Sequence, residues 1–113
     1  MRSDLLAQVQ DHVVALLGEE DPEFVEDLIE TFAASARGAL AEAEAATSRL
    51  DAASLVAAAH TVKGSASNIG LAGLAGSWDA VETAARSGSV LTEAVGRAVA
   101  ETHGAIALLA EAG

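Results

Sequence analysis

Apolar residues recur along most of the chain at alternating spacings of three and four, the period that places them on one side of an α-helix. The clearest case is the run through Trp78, and four other segments show the same spacing. Glycine and polar residues interrupt the pattern at Gly18 and around residues 47–51, 68–70 and 87–89. The pattern therefore predicts five helices, over residues 3–17, 22–47, 52–68, 71–87 and 90–111.

Two of these helices begin with a strong start signal. Asp21 precedes Pro22, and an aspartate followed by proline at the first helical position is typical of a helix start, while Asp51 stands in the same capping position before the third helix. Four amphipathic helices joined by short links favour an all-α fold, an antiparallel up-and-down four-helix bundle with an additional short N-terminal helix packed across one end. Because 113 residues are too few for two cores, we predict a single domain over residues 1–113.

Composition supports helices and predicts a thin, closely packed core. Alanine, the best helix former, accounts for 28 residues, and aromatic residues make up 3% of the chain. Trp78 falls on the apolar stripe of the fourth helix, so we expect it to be buried. In the first helix the predicted stripe consists of Leu5, Val9, His12 and Leu16.

Charge excludes several classes of partner. A net charge of −11 is opposite to the electrostatic footprint of a nucleic-acid-binding protein and disfavours anionic membrane surfaces, so we expect neither nucleic acid nor a membrane as partner. There is no cysteine for disulfide or thiolate chemistry. Because no signal-peptide core or membrane span is recognisable, we expect a cytoplasmic protein.

The third helix has an unusual outward face. At 100° per residue, His60 lies about 140° from Leu55, which is on the buried stripe, and therefore points away from the core. Exposed helix faces are ordinarily charged, whereas the residues around His60 are small or apolar. We predict that they form a docking surface for a partner, called the docking face below, which comprises Val56, Ala57, Gly64 and Ser67.

The same region lacks acidic residues. Between Ala52 and Trp78 there are 27 residues without an aspartate or glutamate, and this interval contains Lys63, the chain's only lysine, three positions after His60. Gly64 lies one turn beyond His60, although alanine would stabilise the helix by about 1 kcal/mol. These features indicate that an anion approaches His60 and that the bare position keeps the imidazole accessible.

The residue types fit phosphoryl transfer. A neutral imidazole nitrogen is a nucleophile that can accept a phosphoryl group, and the ammonium of Lys63 can offset the charge that arrives with it. Neither a carboxylate cluster for Mg²⁺ near His60 nor a glycine-rich nucleotide loop is recognisable, so we expect no cofactor in this chain and a partner that brings the metal. The three histidines fall on different helices, which argues against a metal site. An ordinary solvated helix histidine is the alternative at this point.

The residues from His60 to Gly70 read HTVKGSASNIG, which closely resembles the signature of histidine-containing phosphotransfer (HPt) domains of bacterial phosphorelays. The helix start at residues 21–24 and the leucine-spaced helix ending at residues 81–82 are similar to that family as well. The chain departs from the usual pattern at residues 76–78, where we expect a repacked bundle rather than lost function.

The resemblance implies that His60 is the phosphoacceptor through its far ring nitrogen, Nε2, that Lys63 neutralises the phosphoryl charge, and that Gly64 lets a receiver domain dock. The implied partners are receiver domains of response regulators, including those of hybrid histidine kinases, which exchange phosphate between their aspartates and the histidine. Such domains have no kinase or phosphatase activity of their own, so we expect an intermediate rather than an enzyme.

Two other functions are compatible with the same surface. One is a non-catalytic helical adaptor that docks a receiver or kinase, and the other is a phosphatase-like regulator that helps water attack a receiver's phosphate. Ser65, Ser67 and Asn68 either cap the third helix or contact the phosphate or the partner. We further expect a monomer and a free-standing protein.

Overall fold

The computed structural model describes residues 2–112, and within them the chain contains helices and no strand. All five predicted helices are present, and their ends differ from the predicted ones by two residues at most. The all-helical fold class is therefore confirmed. The observed helices are α1 (Arg2–Leu17), α2 (Pro22–Ser48), α3 (Ala52–Asn68), α4 (Ala72–Arg86) and α5 (Thr92–Ala112).

Helices α2 to α5 form the antiparallel bundle. The third helix packs against α2 on one side and α4 on the other, α5 closes the bundle against α2 and α4, and α1 lies against α5 and α2. The molecule measures 43 × 23 × 21 Å along its principal axes. Among residues 2–112, no helix combines the length and the apolar character that crossing a membrane requires.

Both predicted caps are formed. The Asp21 carboxylate accepts a hydrogen bond of 3.0 Å from the backbone N–H of Phe24. Asp51 accepts from the backbone N–H of Ser54 at 3.1 Å and from the Ser54 hydroxyl at 2.7 Å. These hydrogen bonds hold the pKa of Asp51 below its usual value. The start of α3 is thus fixed, and with it the direction in which His60 points.

The predicted stripe of α3 is buried. Leu55 is 0% exposed and Ile69 is 2% exposed. Around them lie the largest buried side chains, Trp78 and Phe32, with alanines filling the narrow spaces between the helices. This packing leaves the opposite side of α3 free of contacts with the core.

The predicted stripe of α1 is partly wrong. Leu16 is 61% exposed, whereas Val9 and Val13 are both 0% exposed. Val9 and Val13 lie four residues apart on the side of α1 that packs into the core, whereas Leu16 lies in the last turn of the helix.

Gly70 lies directly after α3, at the point where α1 packs closely against the end of that helix. Its φ of +83° is left-handed, and a Cβ at this position would lie 2.6 Å from Cβ of His12. The imidazole of His12, which is half-buried, donates a hydrogen bond of 3.0 Å from Nε2 to the backbone carbonyl of Asn68. Glycine is therefore required here both by backbone conformation and by the close approach of α1.

Candidate functional site

His60 lies on the outward side of α3, with its side chain 65% exposed. Three members of the docking face are exposed around it, and the fourth, Val56, is half-buried. The structure thus brings the predicted docking face and His60 together on one accessible surface of the bundle.

A carboxylate from the neighbouring helix holds one side of the imidazole. Nδ1 of His60 lies 3.2 Å from Oε2 and 3.4 Å from Oε1 of Glu82 on α4. An ionised carboxylate can accept hydrogen bonds but not donate them, so Nδ1 carries the proton in this contact. The lone pair of the neutral imidazole is then on Nε2, the ring nitrogen that Glu82 does not engage.

Lys63 binds the same carboxylate. Its Nζ lies 2.7 Å from Oε1 of Glu82 and 3.2 Å from Oδ1 of Asp79, which is also on α4. The hydrogen bond to Glu82, followed by that to Asp79, raises the pKa of Lys63. Lys63 and His60 are therefore neighbours through one shared carboxylate, and Lys63 is a cation.

Carboxylates lie near His60 in space, although the sequence around it contains none. The acid-free interval between Ala52 and Trp78 covers α3 and the residues next to it in the sequence. Helix α4 packs against α3, however, and contributes Asp79 and Glu82 to the surroundings of His60. Lys63 bridges these two acids. Within the described residues no group of three or more histidine, cysteine or acidic side chains is arranged to hold a metal ion.

Glu82 remains ionised although its side chain is 4% exposed. Burial raises the pKa of Glu82. Hydrogen bonds from Lys63 and then Arg86 lower it, and together these contacts outweigh the effect of burial, so that the net result is a pKa of about 2. Arg86, one turn along α4, donates to Oε2 from Nε at 3.1 Å and from a terminal nitrogen at 2.5 Å. The carboxylate is thus a fixed negative charge at the base of the site.

The polar residues in the last turn of α3, Ser65, Ser67 and Asn68, lie in different environments. The Ser65 hydroxyl is 2.8 Å from that of Ser35 on α2, so it joins two helices. The backbone carbonyl of Asn68 accepts from His12, while the side chains of Asn68 and Ser67 lie on the exposed surface. Of the three, Ser67 alone belongs to the docking face.

Gly64 has open space around it. A Cβ at this position would meet no heavy atom within 4 Å, so packing inside the chain does not require glycine. The same is true of Gly38 and Gly73. What distinguishes Gly64 is its place one turn beyond His60, where an added side chain would stand between the imidazole and an approaching surface.

The site is a surface rather than a cavity. Two grooves, of about 410 and 440 Å³, run along α2, one beside α1 and the other beside α5, and neither is lined by His60 or the docking face. An exposed surface suits a folded partner better than a small solute, which is ordinarily bound in a cleft.

In a comparison with known protein families, residues 27–112 match the family described as Hpt domain. The chain belongs to the Hpt domain family. No similar protein was found among the curated proteins, and no similar structure among the solved ones. The match includes most of α2 and all of α3 and α4, so it contains every residue of the site described above.

Membership establishes the general role of this Hpt protein. It takes part in two-component phosphorelay signalling by histidine phosphotransfer. Hpt domains are phosphotransfer intermediates, not true kinases, and they interact with receiver domains of response regulators or hybrid kinases.

The buried carboxylate predicts a specific pH dependence of stability. Because the pKa of Glu82 is about 2 in the folded chain and 4.5 is its ordinary value, its stabilising contribution is present above about pH 5 and lost as the pH falls towards 2. We expect the free energy of unfolding to fall more steeply over this range in the wild type than in Glu82→Gln, measured by urea denaturation at a series of pH values. Glu93→Gln on α5, which removes a carboxylate that is 94% exposed, is the control. Equal slopes in the wild type and Glu82→Gln would contradict the prediction.

Proposed function

We propose that His60 accepts a phosphoryl group from the phospho-aspartate of one receiver domain and returns it to the aspartate of another. The observation that carries this proposal is the state of the imidazole in a chain of the Hpt family: it is 65% exposed, and Glu82 engages it through Nδ1. An accessible neutral nitrogen, Nε2, is what a nucleophile for phosphoryl transfer requires.

The reaction is a reversible exchange of two bonds to phosphorus. The lone pair of Nε2 attacks the phosphorus in line, the N–P bond forms, and the acyl O–P bond breaks, so that the receiver's aspartate leaves as a carboxylate. The proton on Nδ1 stays in place, where Glu82 faces the positive charge that develops on the ring. The reverse reaction delivers the group to the second receiver.

Lys63 supplies the positive charge on the side of the phosphoryl group. Its flexible stem and its contact with the carboxylate that also holds His60 keep the ammonium close to the ring. We assign it the role of offsetting phosphoryl charge as the N–P bond forms.

The docking face receives the receiver domain. Ala57, Gly64 and Ser67 carry short side chains or none, which allows a folded surface to approach His60 closely. Mg²⁺ and the reacting aspartate are supplied by the receiver, and this chain contributes no cofactor. The proposal includes a monomeric protein acting in the cytoplasm without kinase or phosphatase activity of its own.

The test is transfer of radiolabel. The purified chain is incubated with a panel of receiver domains labelled on their aspartates, and the phosphorylated residue is mapped by mass spectrometry of proteolytic peptides. We expect label that is located on His60 and that is stable in alkali and labile in acid, because an N–P bond has these properties. Addition of a second, unlabelled receiver should remove the label from the chain.

Two outcomes would replace the proposal with another function. Binding of a labelled receiver without any label on the chain would identify a non-catalytic adaptor. Faster release of inorganic phosphate with no labelled intermediate would identify a phosphatase-like regulator. Label on a residue other than His60 would overturn the assignment of the site.

A further inference from the structure

Three side chains share the carboxylate of Glu82. Lys63 binds Oε1, Arg86 binds Oε2 through two nitrogens, and Nδ1 of His60 is within 3.4 Å of both oxygens. The side chain of Glu82 is 4% exposed, whereas that of Arg86 is 60% exposed. An arginine at the surface thus holds a carboxylate beneath it.

In this arrangement Glu82 competes with a phosphoryl group on His60 for the ammonium of Lys63. The Lys63 ammonium is engaged by Glu82 and Asp79, and the more of its charge it turns towards a phosphoryl group on His60, the weaker its contact with Glu82 becomes. Leaving the charge of a buried carboxylate without a cation costs a large free energy, and here a phosphoryl group would add negative charge nearby. Lys63 can leave at low cost only if another cation remains on Glu82.

We propose that Arg86 is a positioning residue for phosphoryl transfer: by holding Oε2 of Glu82 it keeps the carboxylate paired while Lys63 moves from Oε1 to the phosphoryl group. This inference rests on the function proposed above. After the exchange, Oε2 is still bound by Arg86, and both oxygens are still in reach of Nδ1 of His60.

The geometry of Arg86 suits this role. Arg86 and Glu82 are one turn apart on α4, so their contact does not depend on the position of α3. A guanidinium can place two N–H groups on one carboxylate oxygen and remains charged throughout. Exposed pairs at this spacing ordinarily contribute little, and Arg97 with Glu93 on α5, at 4.0 Å, is such a pair. The burial of Glu82 is what makes the contact of Arg86 different.

The experiment compares Arg86→Gln, Arg86→Lys and Arg97→Gln with the wild type. Each chain is phosphorylated from a labelled receiver and, separately, from phosphoramidate, whose P–N bond breaks to release ammonia as the bond to His60 forms. We expect Arg86→Gln to be slower by roughly tenfold with both donors, because the buried carboxylate then retains Lys63. Arg86→Lys should recover part of the rate, and Arg97→Gln should match the wild type.

A double substitution tests whether Arg86 acts through Glu82. Adding Arg86→Gln to Glu82→Gln should change the rate by less than about twofold, since no buried charge is left to hold. Far-UV circular dichroism shows whether each chain is folded, and if Arg86→Gln is not, the comparison uses Arg86→Lys in both backgrounds.

Each contrary result has a distinct meaning. A rate for Arg86→Gln equal to that of the wild type would overturn the inference and leave the phosphorelay function intact. A loss confined to the receiver donor would show Arg86 to be a docking contact, and an equal loss in the Glu82→Gln background would show that it acts independently of Glu82; either result overturns the inference. Absence of label on the wild type with both donors would instead overturn the proposed function.

Discussion

Replacing His60 with glutamine is expected to reduce phosphorylation of the chain by more than about 10³-fold, to the background of the assay, because the nucleophile is removed. Glutamine cannot form a comparable bond to phosphorus, yet its amide can still donate a hydrogen bond to Glu82. The carboxylate beneath the site therefore keeps a partner. Since the His60 side chain is 65% exposed, we expect the free energy of unfolding to change by about 0.5 kcal/mol or less.

The measurement combines label transfer with urea denaturation of the same samples. His103→Gln on α5 is the matched control, because His103 is also an exposed helix histidine but lies outside the docking face. It should be labelled as the wild type is. Labelling of His60→Gln at the wild-type rate would show that another residue accepts the phosphoryl group, and a large loss of stability would show that His60 is structural.

The helices could be predicted because their signals are local. Asp21 and Asp51 mark two helix starts within a single turn, and the spacing of apolar residues repeats over every segment. The direction of His60 follows from the same periodicity, because Leu55 marks the buried side of the helix. These predictions need no knowledge of which helix packs against which.

The carboxylate of the site could not be located in this way. Glu82 is 22 residues from His60 in the sequence, and the two meet because α4 packs against α3. A signal was nevertheless present, since Glu82 lies four residues after Trp78 and three before Ala85, the spacing of the buried stripe. An acid at a core position requires a cation, and Lys63, the only lysine of the chain, is one of the two that it binds.

Position 78 illustrates how the same stripe supports the site. Trp78 is 0% exposed, as its place on the stripe predicts, and its indole N–H donates a hydrogen bond of 2.9 Å to the hydroxyl of Thr102 on α5. That hydroxyl donates in turn to the carbonyl of Ala98 at 2.7 Å. The indole thereby joins α4 to α5 directly before Asp79 and one turn before Glu82, so the residues that hold Lys63 depend on its packing.

Trp78→Ala is accordingly expected to lower the free energy of unfolding by about 3–5 kcal/mol, a large part of the stability of a domain of this size. Trp78→Phe should cost less, because it keeps most of the apolar volume, and the Thr102 hydroxyl retains the carbonyl of Ala98 as acceptor. Since the chain has one tryptophan, unfolding is followed by far-UV circular dichroism in urea. If the two variants were equally stable, the hydrogen bond rather than the ring volume would dominate. If Trp78→Ala were as stable as the wild type, α4 would be held by its other contacts and the placement of Glu82 would not depend on the indole.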